Sequence, residues 1–367
     1  MSPAPTVRPL PSFWNQCSFS IGDVDLLWID VTLAAMVHGE WSAFERRLAE
    51  GLACATRADR EGIAPAEHAV DEVATAFRYE RDLISASDMN AWLDRTGLST
   101  ADWIAYVTRD VLRRMWSDDM DAVLDRFAPS PRQLEAAAVA EGICSGFFDA
   151  FAESFGGRAS LAFEADADVF QAGRNGSAAE AAAAEAETAA RLVRQHEHWL
   201  AIRPEAETSL RLAAIVHVDA VYHAACEQAV SEQSLRESIE VNRLDWVLLD
   251  VDTMRFPNED AAREAVLCVT EDGLSLHDVA ALSRQPVTRR RVFLADLPPE
   301  NRDRLLSAEA GRVLGPLPVD DRFEVTAVIG RTAPTLDDDC VAERARRAVV
   351  EQAARRAARD HVRRRSL

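Results

Sequence analysis

The spacing of apolar residues changes character near residue 243, and this change limits what the chain can build. Before it, apolar side chains recur every three or four positions: Leu26, Leu27, Ile29, Leu33, Ala34 and Val37, then stretches over 42–58, 66–83 and 133–155. That is the period of a helix with one buried face. After it, Leu244-Asp245-Trp246-Val247-Leu248-Leu249-Asp250-Val251 is aliphatic and β-branched and is closed by Pro257, the pattern of a strand. A chain that runs helices first and strands afterwards is expected to be α+β, and here mostly α.

Turn and cap signals divide the helical part. Ser87 or Asp88 can cap one helix, and Ser99 with Asp102 three residues on forms a capping box for another that reaches Trp116. Pro129 and Pro131 break the chain, and Gly156-Gly157 is expected to end the next helix. Residues 158–176 read as irregular, with a loop at Gly173-Arg174-Asn175-Gly176. The alanine- and glutamate-rich stretch 177–194 reads as a solvent-exposed helix, and helices follow over 210–230 and 232–241.

Past residue 243 come helices over 258–270 and 275–282, a loop holding Arg289, Arg290 and Arg291, and a short strand at 292–294. A helix starting at Pro298-Pro299 runs to Ala308, Gly311 and Gly315 flank a turn, and a strand covers 323–329. One long helix from Asp338 to about Arg364 closes the chain. The expected organisation is a proline-rich extended arm over 1–20, a helical domain over 21–240, a small α+β domain over 241–335 and a C-terminal helix over 336–367. The proline-rich arm reads either as a disordered tail or, because Phe13 and Trp14 stand next to four prolines, as a segment that docks in a groove.

Composition excludes whole reaction classes. All 41 cationic side chains are arginine, so the lysine of a P-loop, of a kinase or of a pyridoxal Schiff base is missing. A net charge of −20 argues against nucleic acid or an anionic membrane surface as the main partner. The six cysteines lie far apart and read as separate thiols. No apolar run is long enough to span a bilayer and no signal-like segment opens the chain, so a cytoplasmic protein is expected. His196 and His198 stand about 200° apart around a helix and cannot share a metal by themselves. No metal or other cofactor is expected. The last 27 residues hold nine arginines against three acids and so face an acidic remainder of the same chain.

The α+β segment resembles the parvulin (PpiC-type) prolyl isomerase domain. Leu276-His277-Asp278-Val279-Ala280 stands where the family has its first conserved helix. Asp296-Leu297-Pro298-Pro299 through Ala308-Glu309-Ala310-Gly311-Arg312-Val313-Leu314-Gly315-Pro316-Leu317 follows the family's next pattern without a gap. Helices before this domain and one long helix after it resemble SurA-type chaperones, in which the last helix packs back on the helical core. The catalytic pattern is not retained. The first histidine position falls at about Trp246, the middle acid or thiol near Arg284-Gln285, and the closing histidine motif reads Arg322-Phe323-Glu324-Val325. Leu297, Asn301 and Leu306 replace the family's pocket methionine and two phenylalanines.

The whole chain is most similar to parvulin-related peptide maturation system proteins, which accompany ribosomally made, modified peptides such as the crocagins. The residues that carry this likeness include Arg81-Asp82-Leu83-Ile84-Ser85-Ala86, Trp92-Leu93, Asp102-Trp103 and Glu271-Asp272-Gly273-Leu274-Ser275-Leu276. The resemblance implies a non-enzymatic protein with a degenerate parvulin-like domain, one that binds a precursor peptide by its leader or core and presents it to the modifying enzymes of the same pathway. The alternative is a prolyl isomerase or general folding chaperone with residual parvulin activity. Candidate peptide-binding residues are Trp246, Met254, Phe256, Phe293, Leu297 and Phe323 as an apolar cleft, with Arg289, Arg290 and Arg291 as a clamp for peptide carboxylates. A peptide could also add as a strand at a sheet edge. Occupancy of the groove by residues 1–20 is the third expectation.

Overall fold

A computed structural model of the chain describes residues 13–170, 183–196, 205–319 and 322–364. The chain forms two compact units, one of residues 1–227 together with 353–367 and the other of residues 228–352. The class is α+β and mostly helical.

The first unit opens with a single 3-10 turn, Phe13–Asn15, and a hairpin of β1 (Cys17–Ile21) and β2 (Val24–Leu27). Gly22, at φ +57, makes the left-handed turn between the two strands. The short strand β7 (Val362–Arg364) pairs with the other side of β1, Phe19 opposite Arg364 and Ile21 opposite Val362. The arm expected over 1–20 is therefore not free from Phe13 onward. Phe13 is 2% exposed and stacks on Trp28 and Phe148 at 5.2 and 5.4 Å, so its ring belongs to the core. Trp14 meets Phe13 and Phe148 edge-on, which leaves neither ring available to mimic a bound peptide. Residues 1–12, where the rest of that expectation falls, lie outside the described residues.

Among the described residues, ten helices follow: α1 (Trp28–Val37), α2 (Trp41–Glu61), α3 (Glu67–Glu80), α4 (Ala86–Thr96), α5 (Thr100–Met115), α6 (Met120–Phe127), α7 (Pro131–Ser145), α8 (Phe147–Ala165), α9 (Ala183–Arg194) and α10 (Glu205–Ala229). Ser99 caps α5 in a box with Asp102 as expected, whereas α4 is capped by Ser85, with Asp88 closing its box. The stretch 133–155 is two helices and not one. Gly146, at φ +80, breaks it, because a residue without Cβ takes the left-handed cap at least cost. Gly156 and Gly157 instead lie inside α8, which continues to Ala165. A Cβ on Gly156 would stand 3.5 Å from Val362, and one on Gly157 3.6 Å from Ala354, ordinary contact distances on the side where the C-terminal segment packs. Helix α9 is not fully exposed either. Ala189 and Val193 are buried four residues apart, a face narrow enough to escape the hydropathy pattern. The expected loop at 173–176 and His198 lie outside the described residues.

The second unit holds α11 (Glu232–Val241), β3 (Leu248–Phe256), α12 (Glu259–Thr270), α13 (Leu276–Ser283), β4 (Thr288–Phe293), α14 (Pro299–Ser307), β5 (Val313–Val319) and β6 (Arg322–Thr332). The long helix α15 (Asp339–His361) belongs to this unit up to Gln352 and to the first unit from Ala353. In the first unit its end packs back as the sequence suggests: Arg356 and His361 both reach Glu164 of α8.

The sheet is antiparallel in the order β4-β3-β6-β5. Its first strand begins at Leu248 and not at Leu244. Residues before it form a turn in which Trp246 donates its N–H to the Asn242 carbonyl, and Leu244 is 70% exposed. Two strands replace expected irregular segments, β4 over the arginine triplet and β5 over the glycine-flanked turn. Met254, Phe256, Val325 and Ala327 form one core with Ala262, Ala265, Leu276 and Val279 from α12 and α13. Leu249, Val251 and Val328 form another with Leu294 and Leu305.

Candidate functional site

Strand pairing decides what the arginine triplet can do. Residues alternate faces along a strand, so Arg289 and Arg291 share one face and Arg290 takes the other. The register sets Arg289 opposite Asp252 and Arg291 opposite Asp250 on β3. Arg289 donates from Nε and Nη2 to the two Asp252 oxygens at 2.7 and 2.9 Å. Asp252 is 3% exposed and also meets His277 Nε2 at 3.3 Å. The Arg289 hydrogen bond, opposed by burial, holds the Asp252 carboxyl below the usual aspartate range. Arg291 pairs with Asp338 at 2.8 Å and lies 3.8 Å from Asp250.

On the opposite face, Arg290 Nη2 donates to both Glu324 oxygens at 2.8 and 2.9 Å. Glu324, buried on β6, also accepts from Thr326 Oγ1 at 3.1 Å and lies 3.5 Å from Arg255 Nε. This residue stands where the resemblance places the closing histidine of the isomerase motif. Both of its oxygens are engaged within the sheet, and Thr253 beside it hydrogen-bonds the Thr288 carbonyl. Trp246, assigned to the first histidine position, precedes β3 and lies off the sheet.

The arginine clamp expected for peptide carboxylates is thus already closed on carboxylates of this chain. A guanidinium that forms two good hydrogen bonds to an internal acid would have to give them up to bind a second one. Two features the sequence reading missed account for this, Asp250 and Asp252 two apart on β3 and Arg289 and Arg291 two apart on β4. Matching spacings of opposite charge on strands that pair are a cross-strand ladder, and that signal was present in the sequence.

The apolar candidates do not come together in one cleft. Met254 and Phe256 are buried at 1% and 4%, and Phe323 packs beside them in the core under α12 and α13. Trp246 and Phe293 join Ile239, Leu248, Val341 and Ala345, with the Arg344 guanidinium 4.3 Å from the Phe293 ring centre. Leu297 packs with Leu249, Leu294 and Leu305, in a third cluster. The sheet divides them, because residues of alternating parity on β3 feed opposite faces.

Among the described residues, strand β4 has a strand neighbour on one side only, and Thr288, Arg289 and Arg291 are exposed. Its outer N–H and C=O groups have the geometry to accept another extended chain. Among the described residues no three His, Cys, Asp or Glu side chains gather as a metal site, and no helix is long and apolar enough to cross a membrane. Compared with protein-family models, curated proteins and solved structures, the chain matches none of them.

Proposed function

We propose that the protein is a non-catalytic peptide binder that takes a ribosomal precursor peptide as an added strand along β4 and presents it to modifying enzymes. The observation that carries this reading is the free edge of β4, whose three arginines are neutralised from within the chain. An edge of this kind pairs with backbone and makes little demand on side chains, which suits a carrier whose cargo must stay accessible to other enzymes. The engagement of Glu324 by Arg290 and Thr326 supports the non-catalytic part, since a general base needs a free oxygen within reach of a proton.

Two measurements on the full chain test the reading. Selection from a random peptide library displayed on phage should enrich extended, β-prone sequences, and none should be enriched if the edge does not bind peptide. A standard proline-peptide isomerisation assay should run at the uncatalysed rate. Catalysis that disappears in Glu324→Ala would establish the isomerase instead.

A further inference from the structure

We propose that the first unit carries a separate binding site for a carboxylate on an apolar body, in a cavity of about 630 Å³ beside β1. One part of its wall is apolar: Phe19, Trp28, Leu83, Trp92 and Ile143. The other part is cationic: Arg81, Arg95 and Arg364, against the single carboxylate of Asp149. The size lies in the range of roughly 300–1,000 Å³ that small organic ligands fill.

The three arginines are not equivalent. Arg81 is pinned, donating from Nη2 to the Cys144 carbonyl at 2.6 Å, with Glu80 3.6 Å from Nη1 and the Phe77 ring centre 4.0 Å from its guanidinium. Arg95 and Arg364 have no carboxylate partner among the described residues, although acids outnumber arginines 61 to 41 in this chain. Both residues line the cavity.

A second cavity, of about 620 Å³, shares Arg81 as part of its wall. Its wall holds Arg46, Arg47, Arg81, Arg113 and Arg114 against Glu50, Glu80 and Asp110, five positive charges to three negative. Arginines therefore outnumber acids in both walls that Arg81 shares, in a protein of net charge −20.

These features select the ligand class. A neutral apolar molecule would desolvate Arg95 and Arg364 without replacing their water hydrogen bonds. A bare inorganic anion would make no use of Trp92, the half-buried member of the apolar wall, since Phe19 and Trp28 are already covered within the chain. A carboxylate attached to an aromatic or aliphatic group satisfies both, and guanidinium forks suit it in geometry. Such a group is either a small aromatic acid or the C-terminal residue of a peptide.

Calorimetry on the full chain distinguishes these. The probes are indole-3-acetate, N-acetyl-tryptophan and its amide, and a glycine-rich peptide ending in tryptophan with a free or an amidated terminus. Binding of the acids at least about tenfold tighter than the matching amides is expected from charge-assisted pairing. Arg95→Gln and Arg364→Gln should erase that preference, and Trp92→Leu should weaken acid and amide alike. Binding of the free acids alone identifies a small acid as the ligand, and binding of the peptide identifies a peptide terminus. Equal binding of acid and amide, an acid preference unchanged in both arginine variants, or no binding of any acid probe up to millimolar concentration would overturn the proposal. Because no probe depends on β4, these outcomes are independent of the strand-addition reading.

Discussion

Glu141 has no exposed surface and still carries a carboxylate, held by Arg109 at 3.0 Å and by Arg113 at 3.0 Å, with Arg47 at 3.4 Å. A buried charge that loses its partner goes uncompensated, which costs about 3–5 kcal/mol. Glu141→Ala should accordingly lower the melting temperature by on the order of 10 °C, and a change of under about 2 °C would contradict this. Gly51 makes the arrangement possible, since a Cβ there would stand 2.4 Å from Arg113 Nη1. Gly51→Ala should therefore destabilise in the same direction, and the two substitutions together should cost less than their sum, because they break one network. The thiols differ in a way that labelling can read. Burial pushes Cys54 up to about 11 and Cys144 up to about 12, while Cys340 is exposed. Iodoacetamide on the folded protein should modify Cys340 well before either of them, as followed by peptide mass spectrometry.

At the scale of elements, β4 depends on its charge ladder for part of its stability. Asp252 titrates below its ordinary value when folded, so its contribution is complete above the unfolded value and is lost as pH falls through the folded one. Thermal melts of the full chain should show the second unit weakening below about pH 4. Asp252→Asn should flatten that acid slope while lowering stability at neutral pH; an unchanged slope would mean that the ladder contributes nothing. The same strand shows where sequence reasoning succeeds and fails. Long amphipathic helices such as α2 and α5 were legible because a 3.6-residue period is a local signal, as is the serine cap of α5. Strand β4 was not, because three consecutive arginines carry no alternation, and only the acids of β3 explain why they lie in a sheet. The strands β1 and β7 were missed for a related reason. They lie more than 300 residues apart in sequence, and their pairing is a long-range fact. Gly156 and Gly157 misled in the opposite sense, since a glycine pair reads as a stop, whereas both lie buried inside α8.

For the whole molecule, the uneven charge matters less to the fold than its size suggests. The arginine-rich helix α15 meets acids at Asp296 in the second unit and at Glu164 in the first, but these pairs are partly exposed and are worth about 0–1 kcal/mol each. Its buried Val341 and Ala345 in one unit and Ala357 in the other contribute the packing. The candidate site was legible only in part. The arginines and the idea of an added strand came from the sequence, while the dispersal of Trp246, Met254, Phe256, Phe293, Leu297 and Phe323 over three cores depends on which face of the sheet each one meets. The proposed peptide binding therefore depends on the backbone of one strand. Hydrogen–deuterium exchange of the full chain, with and without a library-selected peptide, tests it most directly. The account predicts slowed exchange at the amides of residues 288–292 on binding, and a bound peptide that leaves those amides unprotected would contradict it.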